Sequence, residues 1–160
     1  MKKRRLVHST RQITQRAAVL LWLLLLLSPF TPAHSAQQDL IINIDGLRTE
    51  QSGHLIVTLF NKKGSWPKHD SASLKRTIAI DASLSQVVLP AIETGKRYAV
   101  QILHDHNING VLDFRWFPYP KPSEGVGVSN NHRRMGPPSF EKALFEHTGS
   151  HRPITIEIGY

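Results

Sequence analysis

Between residues 104 and 113 the chain reads His104-Asp105-His106-Asn107-Ile108-Asn109-Gly110-Val111-Leu112-Asp113. Oxygen-bearing side chains fall at alternate positions, Asp105, Asn107 and Asn109, followed by a glycine and then Asp113. A short loop of this kind aims several hard oxygen donors at one point, as a calcium ion requires. Counted from Asp105, the four side chains occupy positions one, three, five and nine of an EF-hand-style loop. Gly110 takes the sharp turn at position six, and the main-chain carbonyl of Val111 is the next candidate ligand. Position twelve departs from that pattern, because Trp116 stands where a bidentate glutamate belongs. A remote carboxylate must complete the set, with Glu124 the nearest candidate and Glu146 the next. Such a site would be weak, with a dissociation constant on the order of 10⁻⁴–10⁻³ M. The same residue types also build ion-free turns, because Asp and Asn side chains hydrogen-bond their own backbone.

Other chemistry is open to the same region. His104 and His106, two apart, share one face of a strand, and with His132 or His147 they would hold zinc or copper through imidazole nitrogen. That arrangement would suit a small metal-dependent hydrolase, the alternative to a binding module. Nucleophilic catalysis has poor support: the chain has no Cys, and neither Ser129 nor Ser139 sits in a nucleophile-elbow context. The balance favours a non-enzymatic module that binds a protein or glycan. Its working surface would combine the Asp/Asn loop, His104, His106, the Ser129-Asn130 segment and an aromatic stretch bearing Trp116, Phe117 and Tyr119. That stretch reads either as a flap over the open end of the core or as an exposed platform.

The elements that must position these residues are strands. Leu40, Ile42 and Ile44 alternate within Asp39–Leu47, and a second alternating run covers His54–Phe60, so the two suggest a hairpin across a polar link. Lys75–Asp81 and Ser85–Leu89 read as two more strands, and Trp66-Pro67 in the loop before them reads as a plug at the core edge. Tyr98 opens the strand that runs to His104, and its place after Gly95 suggests a tyrosine corner. Prolines 118, 120 and 122 forbid a helix or a central strand in the aromatic stretch. Ser139–His147 reads as a helical turn capped by Ser139 or as a strand over Ala143–His147, with the strand preferred. Pro153–Ile158 closes the chain with three isoleucines on one face. About seven short strands between turn signals predict an antiparallel β-sandwich.

Residues 1–36 stand apart from this fold. Lys2, Lys3, Arg4 and Arg5 precede a leucine-rich run over Ala17–Leu27, and Ala33-His34-Ser35-Ala36 offers small residues to a peptidase. This is the layout of a Sec-type signal peptide cleaved near Ala36, which predicts a periplasmic or secreted product. The run is shorter than the roughly 20 residues that span a bilayer, so no stable membrane span is expected after cleavage. Six of the 20 Lys and Arg lie in this leader and none of the 12 Asp and Glu, which leaves 14 against 12 in residues 37–160. The formal net charge of +8 is therefore largely the leader's, and the remaining domain has no electrostatic footprint for nucleic acid.

Three motifs follow in order: His-Asp-x-Asn-x-Asn-Gly-x-Leu-Asp from His104, Glu-Gly-x-Gly-x-Ser-Asn-Asn from Glu124, and Gly-Pro-Pro-Ser-Phe ending at Phe140. Together they resemble the bacterial secreted family called domain of unknown function 2141, over about Asp39–Tyr160. The resemblance implies an exported immunoglobulin-like or transthyretin-like sandwich and assigns no enzyme chemistry. It carries over to His104, Asp105, Asn109, Gly110, Asp113, Gly125, Gly127, Ser129, Asn130, Gly136, Pro137 and Phe140. His106 departs from the pattern, since relatives often place an acidic residue there.

Overall fold

Apolar alternation sets the architecture. Every second residue of the first long strand, Leu40, Ile42 and Ile44, is buried, while its outer residues stay at least partly exposed. The computed structural model describes residues 36–132 and 139–160; the leader and Gly136-Pro137-Pro138 lie outside them. The described strands are β1 (Gln37–Asp45), β2 (His54–Phe60), β3 (Leu74–Ala79), β4 (Gln86–Glu93), β5 (Lys96–Asp105), β6 (Phe114–Arg115), β7 (Lys121–Pro122), β8 (Gly125–Val128), β9 (Phe145–His147) and β10 (Ile154–Glu157). One helical turn, α1 (Phe140–Ala143), precedes β9.

One sheet runs β10-β1-β4 and the other β3-β2-β5-β8, with β9 paired to the start of β5 and β6–β7 forming a separate ribbon. The inner faces of the two sheets share one core, in which Ile42, Leu89 and Ile156 of the first meet Leu55, Val57, Val100 and Ile102 of the second. This is the expected all-β sandwich, with more and shorter strands than sequence periodicity resolves. One pairing breaks the antiparallel rule: β1 and β10 run parallel, Ile42 opposite Ile154.

The expected hairpin between the first two strands does not form. β1 and β2 lie in different sheets, and β2 pairs instead with β3 and β5. Both strands turn an apolar face to the same core, so they pack across it rather than edge to edge. Residues 46–53 arch from one sheet to the other over the end of the sandwich. The Ser139–His147 ambiguity resolves into a helical turn, α1, followed by a shorter strand than expected, β9, and the Ser139 hydroxyl donates to the Glu141 carboxylate instead of capping the turn.

Two expected features are present. The Tyr98 hydroxyl donates to the Glu93 carbonyl at 3.3 Å, five residues upstream, which is the corner bond. Trp66 packs edge-on against Phe60 at 5.1 Å and tilted against Phe140 at 5.9 Å, plugging a second cluster on the outer face of the β2–β5 sheet.

The glycine-rich motif seals the sandwich at β8. A Cβ at Gly125 would come within 2.6 Å of the Tyr160 ring, and one at Gly127 within 2.7 Å of Ile156, so only glycine lets the C-terminal segment approach. Val126 exchanges two backbone hydrogen bonds with Gly159 there. Ser129 is buried; its oxygen accepts the Val100 N–H at 2.9 Å, and its hydroxyl donates to the Ala143 carbonyl. Asn130 donates to the carbonyls of Lys142 and Leu144, and Asn131 both donates to Thr155 and accepts from Glu157. These side chains fasten α1 and β10 to the sheets.

Candidate functional site

β5 delivers His104 and Asp105 to the end of the sandwich, flanked by β2 and by β8, whose Gly125 is the partner of His104. Both side chains are only 1% exposed. The Asp105 carboxylate turns into the loop it begins: Oδ1 accepts the Asn109 N–H at 3.1 Å and Oδ2 the Gly110 N–H at 2.8 Å. Asn107 Oδ1 accepts the Asn109 N–H, and Asn109 Oδ1 accepts the Val111 N–H at 2.9 Å. The amide groups of Asn107 and Asn109 converge on one oxygen of Asp113, donating to Oδ2 at 2.7 and 2.9 Å. The side-chain oxygens of Asp105, Asn107, Asn109 and Asp113 are engaged by N–H groups of the loop itself, and it is amide nitrogens rather than the other oxygens that meet on Asp113.

Glu124, the remote carboxylate nominated from the sequence, meets main-chain N–H groups near the two ends of the loop rather than its side-chain oxygens. It is 1% exposed, so its charge has to be answered by hydrogen bonds. Oε1 accepts the His106 main-chain N–H at 3.2 Å and stands 3.0 Å from His106 Nδ1, while Oε2 accepts the Asp113 N–H at 3.1 Å. The Ser123 N–H closes the same junction on the Asp113 carbonyl at 3.0 Å. Two buried carboxylates, Asp105 and Glu124, thus hold the 105–113 loop and the base of the β6–β7 ribbon together. Glu146 takes no part, since it pairs with Arg97 near the opposite end of β5.

What this scaffold presents is apolar. Among the described residues the exposed large hydrophobic side chains are Ile108, Val111, Phe114, Trp116, Phe117 and Tyr119, all within twelve positions of the chain. Trp116 is 74% and Phe117 86% exposed, in the turn that joins β6 to β7. A flap closing the core would bury these rings; they project instead.

Beside the tip lies an open cleft of about 600 Å³ between the 46–53 arch, the ribbon and the C-terminal Tyr160. Arg48, Arg115 and Lys121 line it with His104 and His106, against Glu50 and the engaged Glu124. The Tyr160 hydroxyl accepts the Arg48 N–H at 3.0 Å and lies 2.6 Å from His104 Nδ1, and the Arg48 guanidinium stacks 4.0 Å over the Tyr160 ring. The Tyr160 hydroxyl and His104 Nδ1 share one hydrogen bond, and the second imidazole nitrogen is buried without a partner of normal hydrogen-bond geometry. Burial is the largest cause holding the His104 pKa below its usual 6.5, opposed in part by the Gln51 and Ser52 backbone.

A pH dependence follows. The unfolded imidazole takes up a proton near 6.5 and the folded one resists it, so this contribution to stability is whole above that value and is lost as pH falls below it. His69, also lowered by burial, acts in the same direction. The drop in melting temperature between about pH 7.5 and 5.5 is expected to be smaller in a His104→Gln variant than in the parent. Equal drops would show that His104 protonation is not coupled to unfolding.

The structure brings together Asp105, Asn107, Asn109, Asp113 and Glu124, with His104 and His106 beside them, and Val111, Trp116, Phe117 and Tyr119 on the tip above. It separates Ser129 and Asn130, which are structural fasteners further down the sheet, as their pairing beyond Val128 and Gln101 requires. The histidines do not converge either. His147 pairs opposite Lys96, eight residues before His104 on the same strand, which is roughly 26 Å at strand rise. Its ring contacts the Gln38 carbonyl instead. Among the described residues no three His, Cys, Asp or Glu side chains are grouped to hold a metal ion. Sequence reasoning missed Arg48, Arg115, Lys121 and Tyr160. Only their meeting in the folded chain marks them, because they come from three separated segments without shared spacing.

Fold and site define a β-sandwich with a hydrogen-bonded acid-and-amide loop and an exposed aromatic turn at one end. The chain belongs to the family DUF2141, described as an uncharacterized protein conserved in bacteria, which matches residues 42–155. Neither the curated proteins nor the solved structures contain a match to it.

Proposed function

We propose that this protein is an exported, non-enzymatic binding module of the bacterial envelope, periplasmic or secreted, whose working surface is the aromatic tip. The observation that carries this reading is the gathering of all the exposed large hydrophobics of the described residues at one end of the sandwich. Clustered exposed apolar side chains mark interaction surfaces, whereas scattered ones do not. Export is supported by the leader's layout and by the position of β1, which begins at Gln37, directly after the expected cleavage point. Among the described residues no helix is long and apolar enough to cross a membrane. The test is photocrosslinking in the producing bacterium from position 117, with position 77 on the outer strand β3 as control. Adducts with envelope components are expected from 117 and not from 77. Identical products from both, or none from either, would contradict the reading.

A second reading, calcium stabilisation of the loop, draws on the convergence of Asn107, Asn109 and Asp113. An entering ion would displace the two amide donors and turn both amides to present oxygen, with Asp105 and Glu124 alongside. In millimolar calcium the melting temperature is then expected to rise by several degrees over its value in EGTA, since binding to the folded state alone stabilises it. Superimposable melts would end this reading and leave the loop as an internally hydrogen-bonded turn.

A further inference from the structure

The tip and the cleft differ in chemistry, and together they describe a partner that is apolar in one layer and anionic in the next. Resting on the binding-module reading above, we propose that this end of the sandwich docks on the surface of an anionic phospholipid bilayer. The turn bearing Trp116, Phe117 and Tyr119 enters the interfacial layer, and the cleft cations meet lipid phosphates.

The apolar part has the composition of an interfacial anchor. Tryptophan and tyrosine, amphipathic rings that favour the headgroup level, stand with Phe117 on a projecting turn 59–86% exposed. Prolines 118 and 120 restrict the turn, so little conformational freedom remains to be lost on insertion. Ile108 and Val111, 58% and 55% exposed, add apolar surface on the adjoining loop.

The charged part is complementary to phosphate. Arg115 and Lys121 are direct cross-strand partners in the β6–β7 ribbon, and like charges so placed repel unless an anion lies near them. Lys121 donates to the Tyr160 main-chain oxygen at 2.7 Å, while Arg115 has no carboxylate within ion-pair distance among the described residues. Arg48 lines the same cleft from the arch. Two of the acids that would repel a phosphate surface are withdrawn, since Asp105 and Glu124 are buried and accept N–H groups, while Asp113 is half-buried on the loop and accepts the Asn107 and Asn109 amides. Glu50 is the exposed acid left at the cleft. The exposed rings lie on the projecting turn, and within the cleft the Arg48 guanidinium covers the Tyr160 ring.

The test is co-sedimentation of the chain starting at residue 35, a single compact unit free of the apolar leader. The vesicles are phosphatidylcholine alone or an equal mixture with phosphatidylglycerol. The protein is expected to sediment with the mixed vesicles, far less with phosphatidylcholine, and less in high salt. Trp116→Ser with Phe117→Ser, and separately Arg115→Glu, are each expected to weaken that binding about tenfold or more while leaving the melting temperature unchanged. No binding to the mixed vesicles, equal binding to both kinds, or binding indifferent to these variants overturns the proposal. Crosslinks from position 117 to a protein or glycan, without vesicle binding, overturn the lipid partner and leave the tip as the binding surface. Failure of both experiments overturns both readings.

Discussion

Gly53→Ala is expected to cost the sandwich about 3–5 kcal/mol, seen as a fall in melting temperature on the order of 10–20 °C. Gly53 ends the arch between the sheets at φ 137°, in a region that side chains disfavour. A Cβ there would lie 2.4 Å from the Asp105 carbonyl oxygen and 2.6 Å from the His106 Cα. Both obstacles are backbone, so neither can swing aside as a side chain would. Relief requires moving the end of β5, which pulls the Asp105 carboxylate from the N–H groups of Asn109 and Gly110. The loop should therefore loosen along with the loss of stability. Gly64→Ala is the control: nothing lies within 4 Å of a Cβ there, and its effect should stay within about 0.5 kcal/mol. A Gly53→Ala protein that melts with the parent would show that the arch does not depend on this contact.

Glu124→Ala should have an effect of similar size, about 3–5 kcal/mol, by another mechanism. The loss leaves the main-chain N–H groups of His106 and Asp113 without the oxygens they now meet, and the His106 ring without its partner. Stranding a donor costs more than the net worth of the bond, because water cannot fully replace the carboxylate in a closed junction. Glu124→Gln keeps one acceptor oxygen and should cost roughly 1–3 kcal/mol. Amide hydrogen exchange separates local from global loss: His106, Asn109, Gly110 and Asp113 should lose protection ahead of Leu55 and Ile102 in the core. Uniform loss across the chain would mean that Glu124 supports the whole sandwich rather than the tip.

Much of this was legible in the residues, and the reasons are physical. Period-two alternation in β1 and β10 is imposed by a one-sided core, so those strands could be read directly, whereas β5 is buried on both faces from Tyr98 to Asp105. The spacing of Asp105, Asn107, Asn109 and Asp113 marked one tight turn, whose side chains bond its own backbone and, through two amides, Asp113. Glu124 could be nominated only as the nearest acid to a loop without a twelfth ligand, and in the fold it meets main-chain N–H groups instead. What spacing could not settle was the partner of each oxygen: the same atoms satisfy either a cation or the loop's own N–H groups, and here they meet N–H groups.

Other parts were hidden for definite reasons. The β1–β2 hairpin was misread because two strands facing one core look alike whether they pair or stack. Ser129 and Asn130 resembled surface polar groups, yet they fasten backbone ends that only the fold brings near. The cleft was invisible because Arg48, Arg115 and Tyr160 lie far apart in the chain. Prolines 118 and 120 excluded a helix from the aromatic turn but were silent on whether its rings face the core or water.

That last alternative is the one on which the proposed binding surface stands, and it is open to direct measurement. Acrylamide quenching of tryptophan emission, taken as the difference between the chain from residue 35 and its Trp116→Phe variant, isolates Trp116 from the packed Trp66. The tip described here predicts quenching near that of a free indole in water, and shielding when the protein is bound to its partner. A difference signal already shielded in the free protein would place the ring against the core and contradict the account.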